Sequence, residues 1–275
     1  MHVSLTAEKI FNIGPLTVTN ALLTTWFVLI LIAVFSIIFR LRLKKHPRKI
    51  QNIVEMVIEG FMGIVQSVTD NAKQARKFFP VIFTIFLFVL LNNWAGLIPG
   101  VGSIGISEKA NHQEVHLEHT IEPEGIVIDE KNSTNSEHLE NHHHSFTPIF
   151  RAGTADLSFT LALAAVAVIL VQVMGVLALG GRGYFSRFLN FKNPILFFVG
   201  ILEIVSEFSK MISFSFRLFG NIFAGEVLLT VIIALAPFII PMPFYGLEIF
   251  VGIVQALVFS MLTLVFFKMA TTEAH

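Results

Sequence analysis

From Phe198 to Ala236 the chain runs for 39 residues without a proline, most of them apolar. A helix rises about 1.5 Å per residue, so this segment spans roughly 58 Å, nearly twice the ~30 Å hydrocarbon core of a bilayer. It must therefore tilt strongly, kink, or lie well away from the membrane normal. A break with Pro237, Pro241 and Pro243 follows, and then a second long apolar helix from about Phe244 to Met269. A long helical hairpin embedded in a membrane is the strongest constraint on the fold. The whole chain agrees. It is 54% hydrophobic and 14% charged, with 29 Phe, against about 45–50% and about 25% in soluble domains.

Three further spans precede the hairpin. Residues 21–39 carry no charge and end in a basic cluster of Arg40, Arg42, Lys44, Lys45, Arg48 and Lys49. Residues 78–98 form the second, with Pro80 near its start and Trp94 placed as an interfacial aromatic. The third is charge-free from Leu157 to Gly181, with Gln172 inside it. Between the first two, Ile50, Ile53, Val54, Val57, Ile58, Phe61, Ile64, Val65 and Val68 recur at helical spacing. This stretch, with Pro47 suited to its first turn, reads either as a helix lying on the membrane surface or as one packed on a partner helix. Residues 102–147 are polar, acidic and rich in His, an extramembrane insertion. The expected fold is thus an all-α polytopic membrane protein. It has five membrane-embedded helices, the last two long, strongly tilted and forming a hairpin, plus one amphipathic surface helix. The divisions fall at an outer N-terminal segment 1–20, a two-span unit 21–101, the insertion 102–153, the third span with its loop 154–191, and the hairpin 192–275. No internal repeat and no cleavable signal peptide is evident. Lys and Arg concentrate at 40–49, 73–77, 182–192 and Lys268. By the positive-inside rule those groups and the C-terminus are cytoplasmic, and the N-terminus and insertion are outside.

The hairpin carries charges that a span does not keep without compensation, since each costs about 3 kcal/mol at the bilayer centre. They are Glu203, Glu207, Lys210, Arg217 and Glu226 on the first helix and Glu248, with Gln255, on the second. Arg217 is the midpoint of 198–236. At about 100° per residue and measured from Glu203, Ser206 falls near 300°, Lys210 near 340°, Arg217 near 320° and Asn221 near 0°, one narrow stripe, while Glu226 falls near 140°. Arg stays charged at accessible pH and is a fixed barrier rather than a relay, whereas carboxylates can relay protons. Acids on either side of a central cation read as two half-channels separated by that cation. Glu207 and Lys210 also fit a simple pair that staples the helix.

The segments SFSFRLFGNIFAGEVLL (213–229), IVQALVFSMLTLVFF (253–267), NNWAGLIPG (92–100) and TADLSFTLALA (154–164) resemble subunit a of F-type ATP synthases, of the bacterial type. The resemblance covers nearly all of the chain outside 102–147. It implies a proton-conducting stator that offers two half-channels to a ring of c subunits and couples ion flow to ring rotation. The implied partners are the c-ring, a b-subunit peripheral stalk, the remaining synthase subunits and the lipid bilayer, in the cell inner membrane. By position, Arg217 matches the arginine that faces the rotor carboxylate, with Asn221 and Gln255 as its polar neighbours. Glu226 matches the outer half-channel acid, and Glu248 a variable protonatable position. Glu203 matches an inner-side acid with Ser206 beside it, and Asp156 a carboxylate near the outer mouth. The nucleotide chemistry then belongs to other subunits, and this chain is not an enzyme on its own.

The remaining features read blandly. His112, His116, His119, His138, His142, His143 and His144 have no metal-ligand spacing and suit a solvated insertion. Asn92, Asn93 and Gln172 suit helix–helix hydrogen bonds, and Gly220 and Gly225 suit close helix packing. Asn132-Ser133-Thr134 fits a glycosylation sequon by chance. The chain has no Cys, and its net charge is +0. No nucleophile set, phosphate loop, cofactor motif or metal box is present, and nothing points to nucleic acid. The rival classes are a secondary transporter, disfavoured by the lack of inverted repeats, and an ion-conducting subunit of another complex.

Overall fold

The computed structural model describes residues 9–13, 16–43, 49–98, 105–108, 145–148, 151–181, 184, 194–236 and 239–272. Pro47, the His-rich stretch and the sequon lie outside them. Among the described residues six long helices stand in this order: α1 Asn20–Arg42, α2 Lys49–Thr69, α3 Ala72–Ala95, α4 Leu157–Leu179, α5 Pro194–Leu235 and α6 Pro241–Thr271. All except α2 are long and apolar enough to cross a membrane. At 42 residues, α5 exceeds one bilayer crossing still further than the sequence suggests.

The helix starts follow from capping. Thr19 accepts the N–H of Leu22 at 3.3 Å, Asn71 that of Lys73 at 2.9 Å, and Asp156 that of Ser158 at 3.1 Å. The Asn71 cap explains why α3 begins at Ala72 rather than near Phe78: its first two turns are too charged to count as span, yet they are helical. Pro80 consequently lies inside α3. Pro241 and Pro243 do not hold the hairpin helices apart; they occupy the first turn of α6, where proline's missing N–H costs nothing.

Two short antiparallel strand pairs add to the helical frame. β1 Lys9–Ile13 pairs with β2 Leu16–Thr19, and β3 Gly105–Glu108 pairs with β4 Ser145–Pro148. The second pair sets Gly105 opposite Pro148, so the long insertion leaves and returns at one place.

Within the bundle α3 packs on α1, α2 and α6, and α4 packs on α5 and α6. Phenylalanine does much of the joining. Phe61 of α2 meets the rings of Phe79, Phe83 and Phe86 on α3 at 6.1, 5.3 and 4.9 Å. Phe214 of α5 meets Phe259 and Phe266 of α6 at 5.0 and 5.3 Å. Each such pair contributes about 0.5–1.5 kcal/mol beyond area burial, and van der Waals packing is what associates helices in lipid. Helix α2 packs on a partner helix along part of its length. Its later half docks through buried Phe61 and Val65, while Ile50, Ile53, Met56 and Val57 of its earlier half stay exposed. At the far end, Lys268 Nζ donates to the Val68 carbonyl at 2.9 Å and to the Asp70 carboxylate at 2.7 Å, tying α6 to the α2–α3 turn.

Candidate functional site

The segment before α4 is buried although it is not a helix of any length. Residues 151–156 surround a single 3-10 turn, Gly153–Ala155, in contact with α1, α3, α4 and α5. It can enter because its side chains are small. A Cβ on Gly153 would stand 2.5 Å from Thr25 Oγ1 and 2.8 Å from Asn92 Oδ1, and one on Gly96 would stand 2.5 Å from Ala152 Cβ. The main-chain N–H of Arg151 donates to Thr24 Oγ1 on α1 at 3.2 Å. From this base the Arg151 guanidinium reaches α5. Nε donates to Glu226 Oε1 at 3.0 Å and Nη2 to Oε2 at 3.0 Å, the two-pronged geometry that suits guanidinium and carboxylate. The Arg151 side chain is 7% exposed and that of Glu226 34%.

One residue before Glu226, the α5 backbone is bare at Gly225. The Glu248 carboxyl of α6 lies directly against it, so that a Cβ there would overlap Cδ and both oxygens. Glu248 is 7% exposed and has no hydrogen-bond or ion-pair partner among the described residues. Seven residues on, Gln255 accepts from Asn221 Nδ2 at 2.7 Å. Its own Nε2 is buried without a partner.

Arg217 stands one helical turn before Asn221. It is exposed on α5, with no hydrogen bond or ion pair among the described residues. Nine residues separate it from Glu226, about 13.5 Å of helix rise. Toward the other end of α5, Glu203 is half-buried and Ser206 exposed. They are about 21 Å and 16 Å of rise from Arg217. Between them and Arg217, Lys210 pairs with Glu207 at 2.6 Å and sits 4.8 Å over the Phe266 ring of α6, the stapling arrangement the spacing allowed.

Of the residues singled out in the sequence, the fold brings Asn221 to Gln255, Glu248 to Gly225 and Glu226 to the turn that Asp156 closes. It brings neither Glu203 nor Ser206 to Arg217. Asp156 is itself 8% exposed and occupied in capping α4. Asn93 donates to the Gly252 carbonyl of α6 at 3.1 Å, and Asn92 Oδ1 accepts from Thr25 of α1 at 3.4 Å, as helix–helix contacts. Trp94 Nε1 donates to the Ile249 carbonyl at 3.3 Å, and Gln172 accepts from Tyr184. At Gly220 no atom of the described residues stands within 4 Å of where a Cβ would lie, so it makes no close approach to another helix of this chain. Arg151 is the residue sequence reasoning missed. Its signal was its place: a lone arginine beside a span, on the side where the charge bias puts few.

The model of the family described as "ATP synthase A chain" matches residues 22–268. The chain belongs to this family. It is 29% identical over 258 residues to ATP synthase subunit a of Moorella thermoacetica, covering 94% of this chain and 93% of that one. It is 33% identical over 254 residues to ATP synthase subunit a of Gloeobacter violaceus, covering 92% and 84%. A third relative, ATP synthase subunit a 2 of a Bradyrhizobium species, is 29% identical over 262 residues, covering 95% and 93%. The matched region takes in all five spans, the 3-10 turn and every acid and amide described above. It does not favour the transporter or other-complex readings.

Proposed function

We propose that the chain works as the stator subunit a of the Fo sector of an ATP synthase in the cell inner membrane. It conducts protons through two half-channels to a ring of c subunits and couples their flow to rotation and ATP synthesis. The observation that supports this reading most is Arg217. Three cations of the described helices and the 3-10 segment each have an acid on this chain: Arg151 has Glu226, Lys210 has Glu207 and Lys268 has Asp70. Arg217, midway along the longest apolar helix, has none among the described residues and faces outward. An arginine left so within a membrane calls for an acid from another subunit, and the rotor carboxylate is that acid.

The basic clusters put the N-terminus outside and the C-terminus in the cytoplasm. A proton then enters from outside by Glu226 and Glu248, near Asp156, and neutralises a ring carboxylate. The neutral site turns through lipid. It releases its proton on the side of Glu203 and Ser206 before it passes Arg217, whose cation favours the carboxylate and closes the direct path. Asn221 and Gln255 keep polar groups beside the arginine. The driving force is about 2.3 kcal/mol per charge per 100 mV. The chain carries no nucleotide chemistry; the b-subunit stalk and the remaining subunits complete the assembly. Arg217→Ala in membrane vesicles tests the reading: coupled ATP synthesis is lost, and synthesis that survives unchanged would overturn the barrier role.

A further inference from the structure

The geometry points to Arg151 as a positioning residue for proton entry: a cation built into the buried 3-10 turn that fixes the Glu226 carboxylate in place on α5. This rests on the proposed role of Glu226 in the ion path.

Three observations carry it. First, the contact is a fork and not a chance approach. Nε and Nη2 engage separate carboxylate oxygens at 3.0 Å each, and Nε also lies 3.2 Å from Oε2. Second, the fork stands on a buried, closely packed base. The Arg151 N–H is held by Thr24, Ala152 is pressed on Gly96, Gly153 is wedged between Thr25 and Asn92, and Asp156 caps the next helix. A guanidinium on so constrained a segment sets the place of its partner rather than following it. Third, burial is unequal. Arg151 is sunk into the bundle at 7% exposure while Glu226 keeps 34%, so the cation is the anchor and the acid keeps an open side.

The consequence for proton transfer is geometric. Oε2 of Glu226 already accepts two N–H groups. A proton arriving from the aqueous side can bond to the lone pair that Oε1 keeps, since Oε1 accepts only one N–H among the described residues, and the fork weakens while the carboxyl is neutral and tightens again when the proton moves on. Nothing else is consumed or released. Arg151 thus holds one edge of the acid and leaves the other open. A staple that served folding alone would give the same contact but would have no bearing on flux once the complex is assembled.

The experiment uses the intact ATP synthase in inverted membrane vesicles, with ATP-driven proton pumping as readout and the amount of this subunit in the purified complex as control. Arg151→Ala is expected to lower pumping on the order of ten- to hundredfold while the subunit remains assembled. Methylguanidinium, added to vesicles already made, is expected to restore pumping severalfold by occupying the vacated space, which a folding defect would not allow. Arg151→Lys keeps the charge without the fork and is expected to fall between. Wild-type pumping by Arg151→Ala overturns the inference, and so does an assembled but impaired Arg151→Ala that methylguanidinium does not improve. If both variants are missing from the complex, Arg151 belongs to assembly and the inference is likewise overturned. Glu226→Gln separates the two levels. Unimpaired pumping in Glu226→Gln sinks the proposed ion path itself, whereas an inactive Glu226→Gln beside an active Arg151→Ala sinks only the positioning role.

Discussion

Gly225→Ala is the most discriminating single-methyl change in this molecule. The added Cβ would overlap the Cδ and both oxygens of Glu248. Non-bonded carbon atoms rest about 3.5–4.0 Å apart, so the carboxyl has to withdraw by roughly 1 Å or more. What must move is the end of a flexible side chain, not a helix backbone, and the hairpin should keep its packing. Overpacking typically costs about 1–3 kcal/mol, and alanine regains roughly 0.8–1 kcal/mol of helix propensity over glycine. The net loss of stability is therefore about 2 kcal/mol at most. The functional effect is far larger, because a reacting group misplaced by about 1 Å can cost on the order of 100-fold in rate. The expected outcome is near-normal incorporation into membranes with proton pumping reduced ten- to hundredfold. ATP-driven acidification of inverted vesicles, normalised to the amount of assembled subunit, measures it. Gly220→Ala is the matched control and should pump normally, since that site is open. Glu248→Asp placed in the Gly225→Ala background shortens the acid by one methylene and should recover part of the loss. Full activity of Gly225→Ala alongside an inactive Glu248→Gln would refute the reasoning, and so would disappearance of the protein from the membrane, which would mean that the helices yield before the side chain does.

Asp156 offers a test of role. As an N-cap it can be replaced by Asn with little loss, while Ala costs about 0.5–2 kcal/mol; a pumping-competent Asp156→Asn with a lower melting temperature in Asp156→Ala assigns it to capping, and loss of pumping in both assigns it to the ion path. Gly153→Ala should destabilise the assembled subunit by about 1–3 kcal/mol, because the Thr25 Oγ1 and Asn92 Oδ1 it meets are themselves hydrogen-bonded, to the Ala21 carbonyl and to each other; thermal unfolding in detergent shows the drop, and an unchanged midpoint would mean that the turn is loosely seated. Lys268→Ala removes a pair whose side chains are 38% and 78% exposed, so its thermal midpoint should shift little, as a screened surface pair contributes at most about 1 kcal/mol.

The architecture was legible because charge-free runs of span length admit few folds in water or lipid. The helix ends were less so. Asn71 and the basic residues after it start α3 outside the apolar run, and Pro241 reads as a break although it begins a helix. The strand pairs left too short a pattern, since strands of four or five residues are too brief to establish a period of two. At the site, the stripe through Arg217 and Asn221 followed from spacing within one helix. The Arg151 contact did not, because it joins residues 75 apart that only packing of the turn brings together. Gly225 was read as a point of close helix packing, but what lies against it is the Glu248 carboxyl rather than a helix backbone, and spacing cannot tell the two apart.

The winding of these groups around α5 gives Gly225 its importance. At about 100° per residue from Glu203, Glu226 lies near 140°, Gly225 near 40°, Asn221 near 0° and Arg217 near 320°. Glu226 and Arg217 thus stand on opposite faces of one helix, the first turned to the buried turn and the second outward. On the proposed function a proton taken up at Glu226 must travel around α5 to reach a rotor that Arg217 faces. Helix α6 supplies the intermediate station, since Glu248 crosses to α5 at the 40° position and Gln255 meets Asn221 near 0°. Any side chain at 225 would stand as a wall across that arc. On the proposed function the missing Cβ is thus where the two faces of the helix connect, and a chain with carboxylates on both helices would need no break in α5 to pass a proton from one side to the other.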